Sequence, residues 1–319
     1  MKIYNSLEKF NPDFKVVLTL GTFDGVHIGH QSIINKLNEY TEKNGGESVL
    51  LTFYPHPRHV LFPEDQKLKL LSTIKERCKM LEGYGLKHFI IQEFTSNFSR
   101  IKSVNFVRDI LVNQLKVHKL IIGYDHHFGR NREGNFEELS KLSDLYSYKI
   151  EKVEPQKYRD ISVSSTKIRS LITESNFPEA RKYLGRHFSF CGKVVNGEGN
   201  GKNLGFPTAN LVIENKWKLI PENGVYAVIV SYKSETFIGM MNIGYNPTFN
   251  SNIKSIEVHV LDFKEDVIRD LEIDQNASFE DLHFTILKHF GLDNKELASF
   301  FISDENWTQG EEIFLQNFE

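Results

Sequence analysis

The stretch KVVLTLGTFDGVHIGHQSIINKL, residues 15–37, changes texture twice. Lys15–Leu20 is a short apolar run rich in β-formers. GTFDGVHIGH (21–30) is glycine-rich and polar, and beyond it HQSIINKLNEYTEK carries apolar residues at helical spacing. The same alternation continues. ESVLLTF (47–53), KHFIIQEF (87–94) and HKLIIGY (118–124) are further apolar runs, and STIKERCKMLEGYG and SVNFVRDILVNQLK have helical spacing. Strand and helix in alternation predict an α/β architecture, a parallel sheet covered on both faces. Ligands of such sheets bind where strand ends meet helix starts. GTFDGVHIGH, YPHPRH (54–59) and GYDHHFGRNREGN (123–135) are therefore expected to share one edge of the sheet.

From about residue 186 the pattern becomes all-β. Phe188–Val195, Gly224–Ser231, Thr236–Ile243 and Ser255–Phe263 read as strands separated by Gly, Asn and Pro, which predicts a β-barrel or sandwich. The boundary is placed at 185/186. The second domain then covers 186–266, followed by a C-terminal segment, 267–319.

A chain of 319 residues is long enough for two compact domains, and 40% hydrophobic with 25% charged residues is ordinary globular composition. A net charge of -3 gives no broad basic field for nucleic acid. Cys78 and Cys191 are too few for a disulfide framework. Residues 1–14 are too polar for a signal peptide, and no apolar run approaches a membrane span, so the expected location is the cytoplasm.

Residues 21–30 have the physics of a phosphate cradle. Gly21 and Gly25 permit a sharp turn and close backbone approach. A helix starting near Gly29 offers free N–H groups and a positive dipole end. His27 and His30, three apart, can face one side and donate hydrogen bonds to phosphate oxygens. In VSSTKIRSLI (163–172), Ser164, Ser165 and Thr166 precede a helical run as caps. Lys167 and Arg169 stand just inside that helix, where its dipole does not favour cations, an arrangement that makes sense beside an anion. The alternative is a glycine turn and a Ser/Thr cap with solvated histidines and basic residues. A zinc site among His27, His30, His56, His59, His126 and His127 is a further option, although nothing in the spacing selects three of the six.

GTFDGVHIGH, TFYPHPR (52–58), GYDHHFGRNREG (123–134) and SSTKIR, in this order, resemble the bacterial bifunctional riboflavin kinase/FAD synthetase family. The resemblance continues through GKVVNGEGNGKNLGFPTANL (192–211), NGVYAV (223–228), NIGYNPTF (242–249) and IEVHVLDF (256–263), and covers roughly residues 10–265. It implies a Rossmann-like nucleotidyltransferase domain that adenylylates FMN to FAD with ATP, and a barrel that phosphorylates riboflavin to FMN. His27 and His30 would contact the ATP phosphates. Gly21, Thr22, Phe23, Asp24, Gly29, Ser164, Ser165, Thr166 and Arg169 would complete the ATP site. His56, Pro57, Asp125 and Arg130 would border the flavin or form its polar edge. His126 stands where many members of the family carry Phe.

The glycine run Gly192, Gly197, Gly199, Gly201 and Gly205 lacks a following G-K-[ST], so it is not a P-loop. It can still wrap phosphates through backbone N–H groups, with Lys202 as a cation. Thr208 and Asn210 share one face of an extended segment and offer oxygens suited to Mg²⁺. Ile256, Val258 and Val260 are expected to face the core, with Glu257 outward. The resemblance makes Gly192, Gly197, Gly201 and Lys202 ATP-binding residues of the kinase. It makes Thr208 and Asn210 the Mg·ATP ligands and Glu257 the base for the riboflavin hydroxyl.

Beyond Asp266 the family's usual Tyr-Gly pair is missing. The tail reads instead as a capped amphipathic helix over Asp274–Phe290 and a short helical run in NKELASFF (294–301). One alternative function is therefore adenylylation alone, the kinase having lost its flavin lid. A non-catalytic flavin-binding regulator, or a cytidylyltransferase for another phosphorylated alcohol, are rivals from other classes. The intact HxGH and SSTKIR pair speaks against the first of these rivals, and GFPTAN with Glu257 against the second.

Overall fold

The computed structural model describes residues 1–65, 67–124, 126–158, 161–196, 208–233, 235–245, 254–261, 299–303 and 309–314. Asp125, Gly197, Gly201 and Lys202 lie outside these residues, as does the predicted helix at 274–290. The chain divides into two units. The first is Met1–Cys191 with Ile213–Glu222, and the second is Gly192–Val212 with Asn223–Glu319.

In the first unit the strands are β1 (Lys2–Tyr4), β2 (Val16–Leu20), β3 (Glu47–Tyr54), β4 (His88–Glu93), β5 (Val117–Gly123) and β6 (Lys149–Val153). They form one parallel sheet in the order β1-β4-β3-β2-β5-β6. The expected parallel sheet is present. The two edge strands β1 and β6 are additions that the sequence reading lacked, being too short or too charged to stand out as apolar runs. The helices are α1 (Ile28–Asn44), α2 (Pro57–Leu61), α3 (Ile74–Gly83), α4 (Ser103–Asn105), α5 (Phe136–Tyr146), α6 (Ser165–Thr173) and α7 (Phe177–Leu184); α4 runs directly into a π-helical stretch, Phe106–Gln114. A small antiparallel pair, β7 (Lys157–Tyr158) and β8 (Ile161–Ser162), precedes α6.

Alternation along the strands sends successive residues to opposite faces. Val16, Leu18 and Leu20 join a core with Phe106, Val107 and Leu111, whereas Val17 joins another with Ile33, Ile34 and Leu37 of α1. Both faces of β2 are therefore buried, and its apolar run follows from that. The chain reverses its winding direction between β2 and β5, so the topological switch point lies between these two strands, and the loops after β2, β3 and β5 all leave the carboxyl edge of the sheet.

The second unit holds β9 (Lys193–Val195), β10 (Thr208–Val212), β11 (Gly224–Tyr232), β12 (Glu235–Tyr245) and β13 (Lys254–Leu261). They form an antiparallel sheet in the order β11-β12-β13-β10-β9. Two details differ from expectation. The strand predicted from Phe188 starts only at Lys193, because Phe188 packs against the α6–α7 cluster of the first unit. Val260 is exposed, unlike Ile256 and Val258, because its cross-strand neighbour is Gly239, which offers no side chain. At the C-terminus, β14 (Ser299–Ser303) pairs antiparallel with β15 (Gln309–Phe314). This corrects the helical reading of NKELASFF: Ser299, Phe300 and Phe301 lie in a strand, where pairing with β15 overrides local helical spacing.

Candidate active site

The turn after β2 is tightly wound. Gly25 has φ +82°, and a Cβ there would stand 2.7 Å from Leu71 Cδ1. Phe23 (φ 47°) and the β-branched Val26 (φ 40°) also adopt left-handed backbone, a strain of about 1–3 kcal/mol each that a site must over-determine to keep. The over-determination comes from residues 70–77. Arg77, fully buried, donates to the Thr22 carbonyl (2.6 Å) and to the Ser72 carbonyl (3.2 Å). Gly25 N donates to Ser72 Oγ (2.8 Å), and Arg186 donates to the Gly25 carbonyl (2.6 Å).

Asp24 is the junction. Its carboxylate is 1% exposed and accepts from Leu71 N (3.0 Å), Ser72 N (3.0 Å), Ser72 Oγ (3.3 Å) and Arg169 Nη2 (3.2 Å). Ser165 Oγ donates to the Asp24 carbonyl (2.9 Å). The SSTKIR helix is thereby tied to the phosphate-cradle loop, although 141 residues separate Asp24 from Ser165. The anion that Arg169 faces in the structure is thus the Asp24 carboxylate, which resolves its unfavourable place near the start of α6.

His27 caps α1, its Nδ1 accepting from His30 N (3.3 Å), so the helix begins at Ile28. The His27 and His30 rings stack 3.6 Å apart, and His30 stacks in turn on Phe23 at 4.5 Å. Burial lowers His27 to a pKa of about 4 against the opposing pull of Asp24, with Arg169 and Arg186 adding to the fall. His30 is also lowered well below the usual imidazole range, by burial and then by His27 and Arg77. Both are neutral at pH 7. With Nδ1 accepting, His27 carries its proton on Nε2 and can donate.

Ser164 caps α6 through Lys167 N, as expected from the sequence. Arg169 also reaches Thr166 Oγ1 (3.4 Å). Around Asp24 stand Arg77, Arg169 and Arg186, each with a buried Nε that lacks a hydrogen-bond partner, and His30 Nδ1 is similarly orphaned. With the buried Lys218–Glu76 pair counted, four cations stand against two carboxylates, which leaves an excess of positive charge and spare donors. That is the electrostatic requirement of a triphosphate.

The loop after β3 brings His56 into the same field. His56 caps α2 through Arg58 N, with Pro57 in the first turn, and burial lowers it to about 4 while Asp24 raises it and His59, Arg169 and Arg77 lower it. The loop after β5 is folded back on itself. Phe128 bridges Gly134, and Gly129 (φ +72°) packs so closely on Ser103 that a Cβ would stand 2.8 Å from Ser103 Cα. His126 stacks nearly parallel to Phe128, and burial lowers it to about 4. Arg130 is exposed, 4.0 Å from Glu133, and makes no contact with the HxGH loop among the described residues.

In the second unit, register gathers the candidate kinase residues. Asn210 and Glu257 are directly opposite on β10 and β13, and Thr208 Oγ1 stands 3.4 Å from Glu257 Oε2. Glu257 is half-buried rather than outward and solvated. Asn242 on β12 opposes Glu257 from the other side, and its Oδ1 is buried without a partner. The sequence reading passed over it, since one Asn in a strand carries no signal until the pairing is known. Gly192 is exposed just before β9. A hydroxyl, an amide and a carboxylate on one sheet face form a hard-oxygen donor set that fits Mg²⁺. Among the described residues, no group of three His, Cys, Asp or Glu side chains is placed to hold a metal ion, and no helix is long and apolar enough to cross a membrane.

Residues 10–167 match the model of the FAD synthetase family, and residues 184–279 match that of riboflavin kinase, past Asp266. The bifunctional riboflavin kinase/FMN adenylyltransferase of Listeria monocytogenes is 36% identical over 256 residues, spanning 80% of this chain and 81% of the relative. The protein of the same description from Escherichia coli K12 is 32% identical over 270 residues, spanning 84% and 85%. The crystal structure of a macrolide-efflux protein from Streptococcus pneumoniae is similar in fold, with a TM-score of 0.74 at 26% identity over 91% of this chain and 97% of that one.

Proposed function

The chain belongs to the bifunctional riboflavin kinase/FMN adenylyltransferase family, and on that premise we propose which residues carry each of its two reactions. It is a transferase of FAD biosynthesis. One activity phosphorylates riboflavin to FMN and the other adenylylates FMN to FAD.

Adenylylation is assigned to the carboxyl edge of the parallel sheet. The observation that supports this most is the clamp through Asp24, which joins the start of α1 to the start of α6 and sets Arg169 beside the stacked histidines. A phosphate oxygen of FMN attacks the α-phosphorus of ATP. The new P–O–P bond forms as the bond between the α-phosphorus and its bridging oxygen breaks, and pyrophosphate leaves. His27 and His30 donate hydrogen bonds to phosphate oxygens as neutral groups, so they orient charge without having to shed a proton first. Arg169, Thr166 and the α6 amino end hold the far side of the triphosphate. Asp24, although expected among the ATP contacts, acts as a positioning residue, because its oxygens are taken up by protein donors. His56 borders the flavin. Asp125 and Arg130 are assigned to the polar rim.

Riboflavin phosphorylation is assigned to the face bearing Thr208, Asn210 and Glu257. The riboflavin 5′-oxygen attacks the γ-phosphorus of ATP, its proton passes to Glu257, and ADP leaves. Thr208 Oγ1 and Asn210 Oδ1 would hold Mg²⁺, and Gly192, Gly197, Gly201 and Lys202 the ATP phosphates. When bound, the ion supplies charge neutralisation at the transferring phosphoryl group. The test is chromatographic separation of flavins after incubation with ATP and Mg²⁺. FAD formed from FMN and both FMN and FAD formed from riboflavin are expected. FAD formed from FMN alone would remove the kinase assignment.

A further inference from the structure

Residues 213–222 fall within the span matched by the riboflavin kinase model, yet they pack as part of the first unit. Leu70 N donates to the Trp217 carbonyl (2.6 Å) and Leu219 N to the Leu70 carbonyl (2.8 Å), a one-residue strand pairing beside the phosphate-cradle loop. Trp217 lays its ring at 3.8 Å on His59 of α2, the short helix that His56 caps. Lys218 is more unusual. Its side chain has no exposed surface, and Nζ donates to the Leu71 carbonyl (2.6 Å), Glu76 Oε2 (2.9 Å) and the Ser189 carbonyl (2.8 Å).

Leu71 and Ser72 are the residues whose N–H groups hold Asp24, and Glu76 caps α3 through Thr73 N. Burying an ammonium costs desolvation that an aliphatic side chain of the same length would avoid. An aliphatic side chain, however, could not engage the Leu71 carbonyl and Glu76 together. We propose that Lys218 is a positioning residue for FMN adenylylation. It fixes the 70–72 backbone so that Asp24 holds the phosphate loop and Arg169 in line. The first reaction thus depends on a segment that the sequence assigns to the second.

This inference rests on the adenylyltransferase reading of the site. The test uses the full chain carrying Lys218→Met together with Glu76→Gln, which removes both buried charges and leaves no bare carboxylate. FMN adenylylation and riboflavin phosphorylation are assayed separately beside a thermal melt. The expected result is a cooperative melt, kinase turnover within twofold of the parent, and a KM for ATP in adenylylation raised at least fivefold. The KM for FMN should stay within twofold. Unchanged adenylylation kinetics, or ATP and FMN KM values and both activities shifting in parallel, would overturn the proposal. A parent that makes no FAD from FMN removes the reading of the site and the proposal with it. An active parent matched by its variant overturns the proposal alone.

Discussion

Asp24→Asn tests whether the buried junction organises the adenylylation site. Asparagine keeps the volume and one acceptor but replaces the second oxygen with a donor, which must face either Leu71 N and the Arg169 guanidinium, at the Oδ2 position, or Ser72 N, at the Oδ1 position. Either orientation sets a donor against an N–H, at 3.0 Å from Ser72 N or from Leu71 N, and both remove the negative charge that pairs with Arg169 at 3.2 Å. Breaking one partner of a buried charge pair costs about 3–5 kcal/mol, and the low end applies because Arg169 keeps some access to water. For a unit of this size, about 3 kcal/mol lowers Tm by roughly 6–12 °C. The catalytic consequence is separate. An Arg169 no longer aimed at the triphosphate should cost on the order of 10²-fold in kcat/KM for ATP, near 2.7 kcal/mol of transition-state stabilisation. The assay is FAD formation from FMN at a temperature well below the variant's own Tm, with riboflavin phosphorylation in the same preparation as the internal control. Kinase activity should remain within twofold. A variant that melts early yet adenylylates within threefold of the parent would show that Asp24 only stabilises the loop, and the positioning argument would fall.

The other predictions concern single features. Gly25→Ala should lower stability by at least about 1–2 kcal/mol and reduce adenylylation, since a Cβ meets Leu71 at 2.7 Å and φ is +82°; an unchanged urea midpoint would contradict the loop geometry. His27, His56 and His126 are each lowered from 6.5 to about 4 by burial, so the unfolded chain takes up protons first as pH falls. Their contribution is complete above pH 6.5 and is lost as pH falls towards 4, up to about 3 kcal/mol apiece. Urea midpoints that stay flat from pH 7 to pH 5 would refute it. Glu257→Gln should abolish FMN formation from riboflavin while leaving FAD formation from FMN within twofold, and a kinase that survives would remove Glu257 as the base. Asn242→Ala should weaken the kinase at least fivefold if the orphaned Oδ1 beside Glu257 serves bound substrate, whereas unaltered kinase kinetics would make the residue a bystander.

Much of the fold was legible because local period and burial agree. Lys15–Leu20 reads as a buried strand since both faces of β2 are covered, and the Ser164 cap lies immediately before the helix it starts. Register-dependent facts were not legible. That Asn242, Glu257 and Asn210 lie abreast follows from which strands pair and at what offset, and Val260 is exposed only because Gly239 faces it. The supports of the phosphate loop were hidden for a different reason. Ser72, Arg77 and Lys218 act through hydrogen bonds between residues distant in sequence, and a lone Ser, Arg or Lys in a helix or loop reads as solvated.

That hidden layer explains how a strained turn can serve catalysis. Phe23 and Val26 sit in backbone conformations that side chains of their shape disfavour, so the loop would relax without external constraint. Arg77 holds it at Thr22, Arg186 and Ser72 hold it at Gly25, and Asp24 is gripped by Leu71, Ser72 and Arg169. These ties arrive from three separate parts of the chain, and each uses a charged or polar group removed from water. Because Asp24 joins the loop to Arg169 directly, one carboxylate sets both the stacked histidines and the guanidinium, the groups that the proposed site places at the two ends of the triphosphate. Their spacing is therefore fixed before ATP arrives, and binding energy need not be spent on assembling the site.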